Sequence, residues 1–514
     1  MSAVNTVVNV SPDVIALNRL AFGPRPGDLE TFRSLGASPE EQLAAYLEAQ
    51  LAPETIDDAA CEARLAAQQF RTLGKSLETL WQDHFVNGNS PPSDFTGSPW
   101  EWRTLPVRET EAATFIRAIY SERQLFEVMV EFWHHHFSVY AWDYWIGPVF
   151  VHYDRDVIRA HALGNFRELL EAVARSPAML FYLDNATSSR AGPNENYARE
   201  LFELHTMGAE NYLGVRRQDT VPGYPDAPVG YVDDDVYETT RCFTGWRVAD
   251  GRWGAPNTGL FYYDDDWHDR FQKRVLGRYI PPDRGIEDGI EVLDALASHP
   301  GTGRHIARKL CRRLVSDTPP ESLVQRAADV FTANWQAPDQ IKQVLRTIVL
   351  SDEFRTTWGA KVKRPFELTV SALRALQADV VPTSSFLWWY GQMGQPLFAW
   401  RAPNGYPDVA PPWTGSVSLL SRWRFLNRLF VGLDGVQIDV LGQTPAELQT
   451  PDELVDFWAR RVLGRAPDDA TRREVVDFLA QGRNPDLPLP DEERTGRLPY
   501  MVALLLMSPD FQWR

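Results

Sequence analysis

Apolar residues recur with a period near 3.6 along almost the whole 514-residue chain, and one interval breaks that period. Helical windows run through 39–49, 58–72, 107–137, 150–162, 166–176 and 194–207. They resume through 286–297, 301–316, 320–334, 337–350, 363–377 and 414–432, and three more amphipathic segments lie in 451–507. Between 244 and 284 Gly, Trp, Tyr and Asp replace the period, as short strands or a hairpin would require. No fixed-period repeat and no low-complexity linker divides the chain. The expectation is a mainly α fold, one large multi-helix body with a short irregular or β-hairpin insertion around 244–284. Residues 1–440 form that body and carry the site, and 441–514 form a C-terminal helical segment packed on it. The Pro/Trp/Gly-rich stretch 396–413 reads as an irregular loop on the surface or over a site.

Charge narrows the function. Lys and Arg number 52 against 69 Asp and Glu, a net −17, which argues against a nucleic-acid binder and against adhesion to an anionic membrane. No apolar run approaches the 18 residues of a membrane span. Aromatic residues at 12% are too many for a solvated coil. Cys61, Cys242 and Cys311 form no C-x-x-C pair. The first twenty residues lack a basic stretch followed by an apolar one, so the chain reads as cytoplasmic, with a small molecule as its substrate.

The densest chemistry is Glu127-Val-Met-Val-Glu131-Phe-Trp-His134-His135-His136-Phe137. At 100° per residue, Leu125, Met129 and Phe132 share a face with His136, while Glu127, Glu131 and His134 share the opposite one. Three arrangements are open. Glu131 and His134 form an E-x-x-H pair, His136 faces inward, or His134 and His136 act as an H-x-H pair on extended chain. A second segment runs from Asn194 to Gly208. Tyr197, Leu201 and Leu204 make its apolar stripe, and Asn196, Glu200 and Glu203 lie on a neighbouring polar arc. Glu195–Arg199 and Arg199–Glu203 are also ordinary i,i+4 surface pairs. No phosphate-binding glycine loop, H-E-x-x-H or G-x-S-x-G motif is present.

At these residues the chain resembles the DUF1800 family of bacterial proteins. The likeness runs in order through Leu17-Asn-Arg-Leu-Ala-Phe-Gly-Pro24, Phe132-Trp-His-His-His-Phe137, Arg159-Ala-His-Ala-Leu-Gly-Asn-Phe166 and the N-E-N-x-A-R-E-L-x-E-L-x-T-x-G motif of 194–208. It continues through Asp235–Trp246, His268-Asp269 with Lys273 and Gly277, and the K-x-P-x-E of Lys363–Glu367. The chain departs from the family pattern at His135, where Asn is usual, and at Thr240, where Ala is. It follows the pattern only loosely at 404–407 and Trp413. Many relatives carry an export signal.

Carried over residue by residue, the resemblance concentrates ionisable groups at His134, His136, His161, Glu200, Glu203, His268 and Asp269. That set implies an imidazole–carboxylate metal centre, iron first, with Mn, Cu or Zn as alternatives. The leading expectation is a metal-dependent oxidoreductase. His134, His136, His161 and Glu200 or Glu203 are its ligands, Asn196 and Arg199 orient that shell, and His268 and Asp269 serve as acid/base or substrate contacts. A second expectation is a metal-free acid/base enzyme on a carbohydrate-like substrate, from the aromatic load that includes Trp142, Trp246, Trp388 and Trp413. A third is a non-catalytic binding or scaffold protein.

Overall fold

The computed structural model describes residues 10–514, so the reading of the extreme N-terminus as free of an export signal lies partly outside the described residues. The chain is mainly α. Among the described residues its strands make three two-stranded antiparallel ribbons. Two lie in the interval that breaks the helical period: Trp246–Asp250 with Asn257–Tyr263, and Lys273–Val275 with Arg278–Ile280. The third pairs Asp379–Val380 with Val436–Gln437.

Local chemistry sets the helix ends that matter for the site. The 107–137 window is two helices, Leu105–Tyr120 and Gln124–His136. Ser121 is extended between them, its hydroxyl bonded to Asp58 at 2.9 Å, and the same carboxylate takes the Glu122 N–H at 2.8 Å. Asn165 caps Phe166–Arg175 by accepting the Glu168 N–H at 3.2 Å. Asn194 takes the Asn196 N–H at 3.0 Å, so the short helix after it starts at Asn196.

Periodicity missed one feature. The segments Trp81–Val86, Tyr153–Arg159 and Leu201–His205 are wide π turns with more than 3.6 residues per turn. In the last of these, Phe202 is buried where a regular helix would bury Leu204. His205, at the end of the same turn, is fully buried.

Two large hydrophobic clusters make up most of the core, with two small ones beside them. The first gathers Gln124–His136, Phe166–Arg175, Pro300–Leu314, Glu321–Ala333 and Gln340–Val349. The second gathers Pro365–Ala375, Ser416–Val431 and the helices from Pro451 to Met507, so the C-terminal segment packs into it. Ion pairs from Glu131 and Arg313 on the first to Arg364 and Glu367 on the second join the two. No helix among the described residues is long and apolar enough to cross a membrane.

Candidate active site

The three consecutive histidines point into three different environments, as 100° steps require. His134 is buried, and its Nε2 donates to Asp154 at 2.9 Å. Burial would raise the Asp154 carboxyl, but the His134 bond and the Arg159 charge hold it down at about 2. His135 is half-buried, with Nε2 2.8 Å from Glu131 Oε1. The pair is therefore Glu131–His135 at i,i+4, and the E-x-x-H pairing of Glu131 with His134 does not form. His136 is buried, and its Nε2–H donates to the His205 carbonyl at 3.0 Å. Its Nδ1 has no partner among the described residues. Burial first, then Lys309 and His305, push the His136 pKa well down, so the ring is neutral with a lone pair at Nδ1.

Glu131 anchors a buried charge network. Arg364 donates to both its oxygens at 2.8 and 2.9 Å, and Arg313 lies 3.2 Å away. Arg313 and Arg514 also meet Glu367, which caps the Pro365–Ala375 helix through the Arg364 N–H. Burial opposes ionisation of Glu131, yet Arg364, His135 and Arg313 outweigh it and keep the carboxylate charged. Burial likewise lowers the His135 pKa despite Glu131, leaving a neutral imidazole at pH 7. Its proton is fixed at Nε2 by the carboxylate, so Nδ1 holds the basic lone pair.

The 396–413 loop closes over these groups, as its composition suggested. Gly405 has φ +70°, and a Cβ there would overlap the His135 carbonyl oxygen, so only glycine lets the loop come this close. Tyr406 sets its ring edge-to-face on His135 at 5.7 Å. Asp408 bonds Lys361 at 2.9 Å. Loop and helices enclose a cleft of about 340 Å³, lined by His135, His136, His305, Lys309, Arg312 and Arg364 among others. A narrow apolar slit on the other side of Glu131, His135 and Tyr406 is lined by His134, Phe366 and Phe398.

The cleft is electropositive inside an acidic protein. Glu131 and Asp408 are matched by Arg364, Arg313 and Lys361. Among the described residues Lys309 has no bonded carboxylate; the charges it feels are Arg312, Asp408 and Glu210. Burial lowers its pKa to about 8, with Arg312 adding to the effect. Arg312 bonds only a carbonyl, that of Asp317, at 3.2 Å.

The remaining predicted residues do not gather here. His161 bonds the Val157 carbonyl of its own helix at 2.8 Å. Glu200 and Glu203 lie part-buried on the 196–205 segment. Glu200 is raised above the usual carboxylate range by burial and by Glu203, and neither bonds a histidine. Asn196 reaches Asp184 at 3.4 Å, and Arg199 pairs with Glu195 at 3.3 Å. Gly208, at φ +86°, lets the chain pass close to His305, whose Nδ1 is 3.2 Å from Glu210. His268 and Asp269 belong to a separate buried network. His268 bonds Asp288 at 3.1 Å and the Thr244 carbonyl at 2.9 Å, and Lys273 bonds Asp288 at 2.7 Å. Arg241 holds Asp269 through two bonds of 2.9 and 3.0 Å. With His268 and Lys273 almost fully buried, this network ties the β insertion to its helices. Among the described residues no group of three or more His, Cys, Asp or Glu side chains is arranged to hold a metal ion.

Most ordered motifs of the sequence are thus accounted for as joints of one fold, with Arg159 bonded to Glu127 and Lys363–Glu367 locked on the Glu131 network. A family model for DUF1800, described as a protein of unknown function, matches residues 15–513. The chain belongs to the DUF1800 family. No curated protein and no solved structure matches it. Within this family member, Lys309, Arg312, Arg313 and Asp408 lie outside every quoted motif, and His135 is one of the positions that depart from the pattern. The Glu127–Phe137 segment and the K-x-P-x-E motif thus supply Glu131, His135, His136 and Arg364 to the cleft wall, while Lys309, Arg312, Arg313 and Asp408 were missed.

Proposed function

We propose that this chain binds a small anionic molecule, carrying a carboxylate or phosphate, in the His135–Lys309 cleft and performs acid–base chemistry on it. The observation that carries the reading is the Lys309 ammonium, which faces the cleft with no bonded carboxylate in a protein of charge −17. An unneutralised, partly buried cation costs stability, and an anionic ligand would compensate it. Arg312 supplies a second donor. The Glu131–His135 pair supplies the base: the carboxylate fixes the tautomer and Nδ1 accepts the proton. The cleft volume suits a molecule of metabolite size.

The metal-dependent oxidation expected from the histidines has less support. His134 and His136 each spend Nε2 on a protein partner, and the five expected ligands do not converge. A thermal-shift panel of phosphate, citrate and malonate against neutral analogues tests the proposal. A ligand present at a hundred times its Kd adds roughly 2.7 kcal/mol of stability. Stabilisation by anions and not by neutral analogues supports the reading; a uniform absence of stabilisation sinks it.

A further inference from the structure

A second cavity, distinct from the cleft, lies between the Leu105–Tyr120 helix, the 140–142 turn and the Ser384–Gly391 helix. Its volume is about 810 Å³. Trp142, Trp388 and Tyr140 form aromatic walls, and Trp388 is 58% exposed. Its indole offers an accessible flat face beside the other two rings on which a ligand can stack. Polar groups converge among these rings: Glu111, Arg108, Gln392 and Ser384.

Glu111 is the telling residue. Its side chain lines the cavity from a helix face, yet the residue is only 6% exposed. No hydrogen bond stabilises its charge; burial dominates and Arg108 opposes it only in part. The carboxyl is raised to about 8, so at pH 7 it is a neutral O–H donor. Arg108 has no carboxylate bonded to it either: Nε reaches the Thr104 hydroxyl at 3.4 Å, and the guanidinium sits 5.4 Å from the Trp142 ring. A carboxyl this enclosed, open to a cavity and without a protein partner among the described residues, is a group that a ligand's hydroxyls can complete.

From these observations we infer that this groove is a saccharide-binding site, taking a neutral pyranose oligomer with its C–H faces on Trp388 and Trp142 and its hydroxyls on Glu111, Arg108 and Gln392. Flat aromatic walls with converging hydroxyl partners match a sugar ring better than a compact anion. The site binds without cleaving. Glycoside hydrolysis needs two free carboxyl groups. The only other carboxylate on the wall, Glu109, is consumed by the Arg71 and Thr72 N–H groups at 2.9 and 2.7 Å and by the Thr72 hydroxyl.

The test is a glycan array followed by calorimetry on the full chain with the neutral oligosaccharides that score. Wild-type protein should bind at least one saturably. Trp388→Ala, an exposed position that folding tolerates, should weaken it tenfold or more, and Lys309→Met should leave it unchanged. An array with no neutral glycan bound overturns the inference. So does binding that survives Trp388→Ala within twofold, or that falls with Lys309→Met instead. Release of reducing ends from the bound oligosaccharide would overturn the claim of binding without cleavage.

Discussion

His135 Nε2 lies 2.8 Å from Glu131 Oε1, and both oxygens of that carboxylate accept from Arg364, 233 residues further along the chain at the N-cap of the Pro365–Ala375 helix. One carboxylate thus orients a cleft imidazole and also joins the two hydrophobic clusters. Glu131→Gln should therefore do two things. It removes the charge that matches buried Arg364 and Arg313, and breaking such a pair costs about 3–5 kcal/mol. It also frees the His135 tautomer. Urea unfolding should show a loss in that range. A loss below about 1 kcal/mol would mean that the network does not hold the clusters together.

Lys309 gives a pH signature of known sign. Burial, with the Arg312 charge adding to it, depresses its folded pKa from 10.5 to about 8 against the opposing pull of Asp408 and Glu210, beside His136, His205 and His305. The ammonium is nearly complete below about pH 7 and is lost as pH rises through about 8. Anion affinity should be level from pH 6 to 7.5 and decline above pH 8. Between pH 8 and 10.5 the unfolded chain binds the extra proton, so this group's contribution to stability rises with pH there. Lys309→Met should accordingly raise the melting temperature at pH 7 while weakening anion binding. A variant that is both less stable and unchanged in binding contradicts the assignment.

Asp288 separates a structural role from a catalytic one for the His268 network. It is the shared partner of His268 and of Lys273, which has no side-chain exposure. Asp288→Ala should destabilise the fold by about 3–5 kcal/mol, because it strands a buried ammonium. Anion affinity in the cleft, measured well below the unfolding transition, should stay within twofold. A large affinity loss with unchanged stability would place this network in the site.

Metal content discriminates the acid–base reading from the oxidative one. Elemental mass spectrometry on untagged protein, after growth in supplemented medium, should find Fe, Mn, Cu and Zn far below one equivalent. A stoichiometric transition metal that is lost in His136→Ala would overturn the acid–base reading.

The helical body and its β insertion were legible because amphipathic periods and their interruption report directly on packing. The stretch 396–413 was legible from its Pro, Trp and Gly content as an irregular loop, with the surface and a position over a site both left open. The partners of the histidines were not. Asp154 and His205 sit in or at the end of π turns, where an extra residue per turn defeats a 3.6-residue projection. Lys309 and Arg312 look in sequence like the polar side of an amphipathic helix, and only the arrival of the 396–413 loop turns that side into a cleft wall. Asp408 and Glu367 then neutralise their neighbours and leave Lys309 and Arg312 as cleft cations without a bonded carboxylate among the described residues. That balance of charges is a property of the tertiary structure, beyond the reach of spacing.

The central claim is that Lys309 holds an anion over the Glu131–His135 pair. Isothermal titration of citrate and phosphate at pH 7, into wild-type protein and into Lys309→Met, tests it most directly. A charge-assisted hydrogen bond contributes about 1.5–3 kcal/mol. The account predicts saturable one-to-one binding of at least one of the two anions to the wild type, and affinity roughly 10- to 100-fold lower in a folded variant. No binding heat with either anion, or equal affinity in the two proteins, would contradict it.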